Sequence, residues 1–156
     1  MPHINEKIDF TVEVFVVYKE KILLRKHDKL GIWLSVGGHI EKDEDPNQAA
    51  IREVKEEVNL EITLDNSLQI RQENTDTYKE LIPPYFMNRH KISETHEHVT
   101  LTYFATTTND TITQTIDAEK SDDIQWFTKE ELEMLPDLLS NVKAYALIAL
   151  KTISNR

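Results

Sequence analysis

The chain of 156 residues has no cysteine and only three glycines. Without cysteine there is no disulfide, no thiol nucleophile and no thiolate-bound zinc. Glycine stands at about a quarter of its usual share of roughly 7%. Gly31, Gly37 and Gly38 all fall within eight consecutive residues, and glycine is chosen where backbone takes φ > 0 or approaches another group closely. Long apolar runs are also missing. Residues 14–18 and 144–150 are the longest, far too short to span a bilayer. The first six residues lack the basic-then-apolar pattern of a signal peptide, so a cytoplasmic chain with no membrane partner is expected. Positive charge is scarce too, with 18 Lys and Arg against 28 Asp and Glu for a net charge of −10. Such a chain repels nucleic acid unless metal ions intervene, which makes a nucleic-acid partner unexpected.

An apolar share of 39%, with two Trp, five Tyr and five Phe, is enough for a real core. No repeat or linker-like stretch divides the chain, so residues 1–156 are expected to form a single domain. Residues 9–18 read as a buried strand and residues 21–26 as its hairpin partner. A short strand over residues 32–36 is expected to run into Gly37 and Gly38. Further strands are expected over residues 60–71, 85–90, 98–107 and 122–127, with Pro83-Pro84 marking a loop. Asp45-Pro46 followed by Gln48 signals a capped helix, and Thr128 with Glu131 signals a second. Leu139, Val142, Ala146, Leu150 and Ile153 give one apolar face to a third helix, expected from Pro136 or Asp137 to Ile153. The fold class is α+β, a mixed β-sheet packed between helices.

The helix after Pro46 carries the chemistry. Seven acids and three bases lie between residues 41 and 57. On a wheel of about 100° per residue, Glu53, Glu56 and Glu57 share one arc, with Ala49 the one other residue inside it. Ala50, Ile51, Val54 and Val58 fill the neighbouring arc and are expected to face the core, while Ala49 leaves room for a ligand. Glu53 and Glu57 repel as an i, i+4 pair, and the helix C-terminus disfavours both. A divalent cation reverses the sign of those terms. Oxygen donors without cysteine favour Mg²⁺ or Mn²⁺ over zinc. A solvated acidic face is the plainer alternative.

From Gly38 the chain reads Gly38-x5-Glu44-x7-Arg52-Glu53-Val54-x-Glu56-Glu57-x-Asn59-Leu60. This resembles the Nudix box, in which glycine stands where this chain has Asn59. Asparagine is the next best residue for the left-handed geometry past a helix end. The stretches around Trp33 to Glu41 and Ile124 to Leu132 are also similar to Nudix proteins. The resemblance implies a Nudix-like α/β/α sandwich. It implies Mg²⁺- or Mn²⁺-dependent hydrolysis of a pyrophosphate bond in a nucleoside diphosphate linked to another moiety. Glu53 and Glu57 are then the direct metal ligands, with Glu56 sharing an ion or orienting water and the Gly37 carbonyl as a further ligand. Arg52 orients a box carboxylate and Glu44 supports the loop. Glu56, or Glu94 or Glu97 from a later loop, is the candidate to deprotonate water.

Around the box, Arg25 and Lys26 are candidates to contact phosphates or are plain solvated edge residues, Gly38 is a candidate to line the substrate, and Trp33 to stack on a base or to pack in the core. His96 and His98 form a His-x-His on one strand face near His90, a zinc pair or plain pocket residues. No proline lies between Leu60 and Pro83, where relatives specific for ADP-ribose often carry one, while Tyr78 stands where dinucleoside polyphosphate hydrolases often carry tyrosine. Nucleoside triphosphates, nucleotide-sugars and dinucleoside polyphosphates remain open as the small-molecule partner, and a homodimer is compatible with the sequence. The rival reading is a non-catalytic nucleotide-binding regulatory module. Isopentenyl diphosphate isomerase chemistry would need the cysteine this chain lacks, and RNA decapping would need a basic groove.

Overall fold

One strand at the centre of the molecule is buried on both faces. In β1 (Ile8–Tyr18), Val12, Val14 and Val16 point into one apolar layer, while Phe15 and Val17 point into a second. The two-residue side-chain period converts a near-continuous apolar run into two cores. These positions come from a computed structural model that describes residues 3–27, 30–113 and 121–154. Met1 and Pro2, within the stretch read for a signal pattern, lie outside the described residues.

Through Lys19, at φ 54°, β1 turns into β2 (Lys21–His27), pairing Val17 with Ile22 and Tyr18 with Lys21. The two strands then take separate partners. β3 (Trp33–Leu34) pairs with β2, and β4 (Val36–His39) pairs with β1 from Thr11↔His39 to Val14↔Val36. On its other edge β1 runs parallel to β7 (Glu97–Thr107) from Ile8↔Glu97 to Val17↔Thr106. β5 (Ile62–Leu64) and β6 (Phe86–Lys91) add antiparallel to β7, and β8 (Ser121–Phe127) adds to β2. α1 (Pro46–Val58) covers the first layer through Ala50, Val54 and Val58. α2 (Lys129–Met134) and α3 (Ser140–Ser154) cover the second through Leu132, Val142, Ala146 and Leu150. The mixed sheet between helices is the expected α/β/α sandwich.

Several local expectations are corrected. The strand expected over residues 32–36 is instead two, with Gly37 and Gly38 inside the second, because Leu34 and Val36 pair with different neighbours. A Cβ at Gly37 would meet the Val12 carbonyl oxygen at 2.1 Å, so this ladder closes only around a bare backbone. The strand expected over residues 60–71 is limited to β5. Asp65 ends it by accepting a hydrogen bond from the Ser67 amide on Oδ1 at 2.8 Å. The third helix starts at Ser140, since Asp137 adopts φ 58° and breaks the right-handed run. Leu139 therefore precedes the helix and is exposed. In α1, Ile51 is exposed, and Ala49 is fully buried in the first layer rather than leaving room for a ligand.

Candidate active site

α1 is built to deliver its acids to one edge. Asp45 accepts from the Gln48 amide while Gln48 Oε1 accepts from the Asp45 amide, both at 2.9 Å, and Pro46 takes the first turn. At the far end Asn59 adopts φ 56°, ψ 37° and donates its amide to the Lys55 carbonyl, the geometry expected of it. Between these caps Glu53 and Glu57 are buried, at 4% and 6% exposure, and Glu56 points outward. Burial pushes the Glu53 carboxyl above its ordinary value, with Arg52 working against the rise.

Arg52 organises the edge. Its guanidinium donates to Glu44 at 2.6 and 3.0 Å, to Glu53 and Glu56 at 3.1 Å each, and to the His39 carbonyl at 3.0 Å. The Arg52 hydrogen bonds hold the Glu44 carboxyl below its usual range, and Glu44 also accepts from the Glu41 amide at 2.8 Å. The loop before α1 is thereby tied to the helix. Gly38 faces the same acids, where a Cβ would sit 2.3 Å from Glu53 Oε1. Arg25, 7% exposed, places Nε 3.2 Å from Glu57 Oε2 and 3.4 Å from the Ser35 carbonyl. It is a buried side chain rather than a solvated edge residue.

Gly37, Gly38 and Arg25 line a cleft of about 400 Å³ together with Glu13, Ser35 and His98. Glu13 accepts from Thr102 Oγ1 at 2.6 Å and from Ser35 Oγ at 3.0 Å. Burial raises its carboxyl above the ordinary value against the pull of those two hydroxyls.

Other sequence candidates lie elsewhere. Trp33 packs edge-on against Phe127 at 5.0 Å, taking the core-packing alternative. Tyr78 sits half-exposed in the loop before β6, its hydroxyl on Glu80 at 3.0 Å and the Arg71 guanidinium near its ring. Glu97 opens β7 opposite Ile8 and pairs with Arg89 at 3.0 Å. It stands five residues along the ladder from the Glu13 and Gly37 level, about 16 Å at strand rise. Glu94 is exposed in the turn between β6 and β7. Neither residue is brought to the acidic edge.

The His-x-His pair does come together, with ring centres 5.4 Å apart, but His96 stands just before β7 and only His98 lies within it, in register with His90. The cluster also holds Asp9, which is fully buried. Burial works to raise the Asp9 carboxyl, but the Ile4 and Asn5 amides and the charges of His39 and His96 bring it below its ordinary value. Burial and the neighbouring imidazoles hold His98 down to about 4. Asp9, Glu13 and His39 were not singled out from sequence. Asp9 and Glu13 carried a signal in the polar residues at positions 9, 11 and 13, which repeat with period two inside an apolar strand, whereas His39 carried none.

The NUDIX domain family model matches residues 9–149. A NUDIX-family hydrolase from Clostridium perfringens is 35% identical, with 93% of this chain and 97% of that one aligned at a TM-score of 0.81. Dihydroneopterin triphosphate diphosphatase of Haemophilus influenzae is 37% identical over 75 residues, which is 48% of this chain and 46% of that protein. The chain thus spans about half the length of that curated relative. A C. elegans Ap4A hydrolase, 18% identical with a TM-score of 0.61 over 94% of this chain and 96% of that one, shares the fold. With its complete set of box carboxylates and this coverage, the chain belongs to the NUDIX hydrolase family.

Proposed function

We propose that the protein hydrolyses a pyrophosphate bond of a nucleoside triphosphate-type substrate and depends on Mg²⁺ or Mn²⁺. The observation that carries this reading is the meeting of two buried carboxylates, Glu53 and Glu57, with a backbone bare of side chain at Gly38, on the margin of a cleft. The residues fit a hard cation. The donors are oxygens, and Gly38 leaves the space beside Glu53 that a Cβ would fill. Glu53, Glu57, Glu56 and the Gly37 carbonyl would hold it, and the ion supplies neutralisation of phosphate charge as the transition state develops.

The chain's own groups do the rest. Arg52 fixes the directions of Glu53 and Glu56. Glu56, the solvent-facing acid, takes the proton of the attacking water, a role that geometry favours over Glu94 and Glu97. Arg25 holds Glu57 in its inward position. Glu13 offers acceptors to ring N–H groups of the base at the cleft floor. A triphosphate is favoured over nucleotide-sugars and dinucleoside polyphosphates because the Haemophilus relative is named for a triphosphate substrate.

A panel of dihydroneopterin triphosphate, nucleoside triphosphates, nucleotide-sugars and dinucleoside polyphosphates, assayed with Mg²⁺ and with Mn²⁺, tests the proposal. Turnover should be fastest on a triphosphate and fall about a hundredfold or more in Glu57→Gln with the fold intact. Unchanged turnover in that variant would remove Glu57 from the site. Failure to cleave any pyrophosphate compound would leave the non-catalytic binding module in its place.

A further inference from the structure

Away from the acidic edge, five of the chain's six histidines gather on one patch, His3, His39, His90, His96 and His98. At its centre the buried Asp9 carboxylate is fixed by the Ile4 amide on Oδ2 at 3.0 Å and the Asn5 amide on Oδ1 at 2.6 Å. His96, 2% exposed, places Nδ1 3.0 Å from the Glu6 carbonyl. A carbonyl only accepts, so Nδ1 donates and Nε2 is the ring atom left for another partner; among the described residues it is buried without a hydrogen bond. That nitrogen lies 3.4 Å from Asp9 Oδ2. A buried ring nitrogen without a hydrogen bond and a buried carboxylate thus stand side by side as metal-ligating atoms, with His39 Nε2 3.0 Å from the same oxygen.

Two further rings complete the set. His3 brings Nδ1 to 3.6 Å from the same Asp9 oxygen and stacks on His96 with ring centres 3.6 Å apart. His98 meets His96 edge-on, and the ligand atoms of His3, Asp9, His96 and His98 all lie within 4.8 Å of one another. Metal–ligand bonds of about 2.0–2.1 Å in a tetrahedron give edges of about 3.3–3.4 Å, so small side-chain rotations close the site.

We propose that His3, Asp9, His96 and His98 form a second metal site, filled by Zn²⁺ or a similar transition-metal ion and distinct in chemistry from the oxygen-lined edge of α1. The His96 bond to Glu6 is the outer-shell contact that orients a metal-binding imidazole. Four protein ligands make a closed, structural site. It pins the segment before β1 to β7, beside the existing bond from the Glu97 amide to the Lys7 carbonyl at 2.8 Å. Because His3 and His98 also line the cleft, the ion stiffens that wall. The proposal stands independently of the hydrolase activity.

The test uses untagged, chelator-stripped full-length protein titrated with Zn²⁺ by calorimetry in excess Mg²⁺, which fills oxygen sites and competes poorly for imidazole. One equivalent should bind at about micromolar Kd or tighter, with a rise in Tm, and Co²⁺ should show tetrahedral visible absorption. His96→Gln and His98→Gln should each weaken binding by about tenfold or more, whereas Glu53→Gln should leave it unchanged. If the buried variants fail to fold, His3→Gln, at a half-exposed position, reads the same loss. Absence of binding, or binding lost in Glu53→Gln and kept in the histidine variants, overturns the proposal.

Discussion

Glu13 shows how a single half-buried carboxyl can set the pH response of this protein. Its oxygens are held by Thr102 and Ser35, yet burial outweighs those bonds and raises its proton affinity in the folded state. The unfolded chain therefore releases this proton at lower pH than the folded one. Stability falls as pH rises from the ordinary glutamate value through the raised one, and the loss is complete above it. Glu13→Gln removes that penalty. In urea unfolding followed from about pH 4 to about pH 8, the variant should gain on the wild type as pH rises; a constant gap between them would show that Glu13 ionises freely. Gly38 makes the complementary point, since its function lies in the atom it lacks next to Glu53.

At the scale of the element, α1 is the part most legible in sequence, because its signals are local. The capping box, Pro46 at the first turn and Asn59 at the end all act within four residues of the backbone they satisfy. Asp45→Ala removes one half of the box and should cost about 1 kcal/mol, measured as a lowered urea midpoint with unchanged far-ultraviolet dichroism. Glu53, Glu56, Glu57, Arg52 and Glu44 were readable for the same reason, lying on one helix and its entry loop. β3 and β4 were not, since their separation depends on which strand each meets across the sheet. The early stop of β5 and the late start of α3 turn on Asp65 and Asp137, whose turn geometries compete with strand and helix and are decided by the surrounding fold. Of the histidine patch, His96, His98 and His90 were readable as a zinc pair or pocket residues because they lie close in sequence. That Asp9, His3 and His39 join them was not, because these come from the amino-terminal segment, β1 and β4 and meet the pair only once the sheet has formed.

Across the whole molecule, the two apolar layers share β1 and are each marked by a tryptophan. Trp126 packs on the layer under α1 and Trp33 on the layer under α2 and α3. A strand common to both cores couples them, so the protein should unfold as one unit. Fluorescence of Trp33→Phe and Trp126→Phe, each reporting the opposite layer, should give coincident urea transitions, and separated midpoints would show the layers melting independently. The parallel ladder of β1 with β7 has a consequence in time. It joins partners 89 residues apart, as in Thr11 and Thr100. During ribosomal synthesis β1 emerges early and must wait for β7 before one of its edges is occupied, with a valine- and phenylalanine-rich segment available to other nascent chains meanwhile. Loop closure over that separation slows folding and makes this interval the vulnerable one. The strand that unites the finished protein is thus the part most dependent on chaperone protection while the protein is being made.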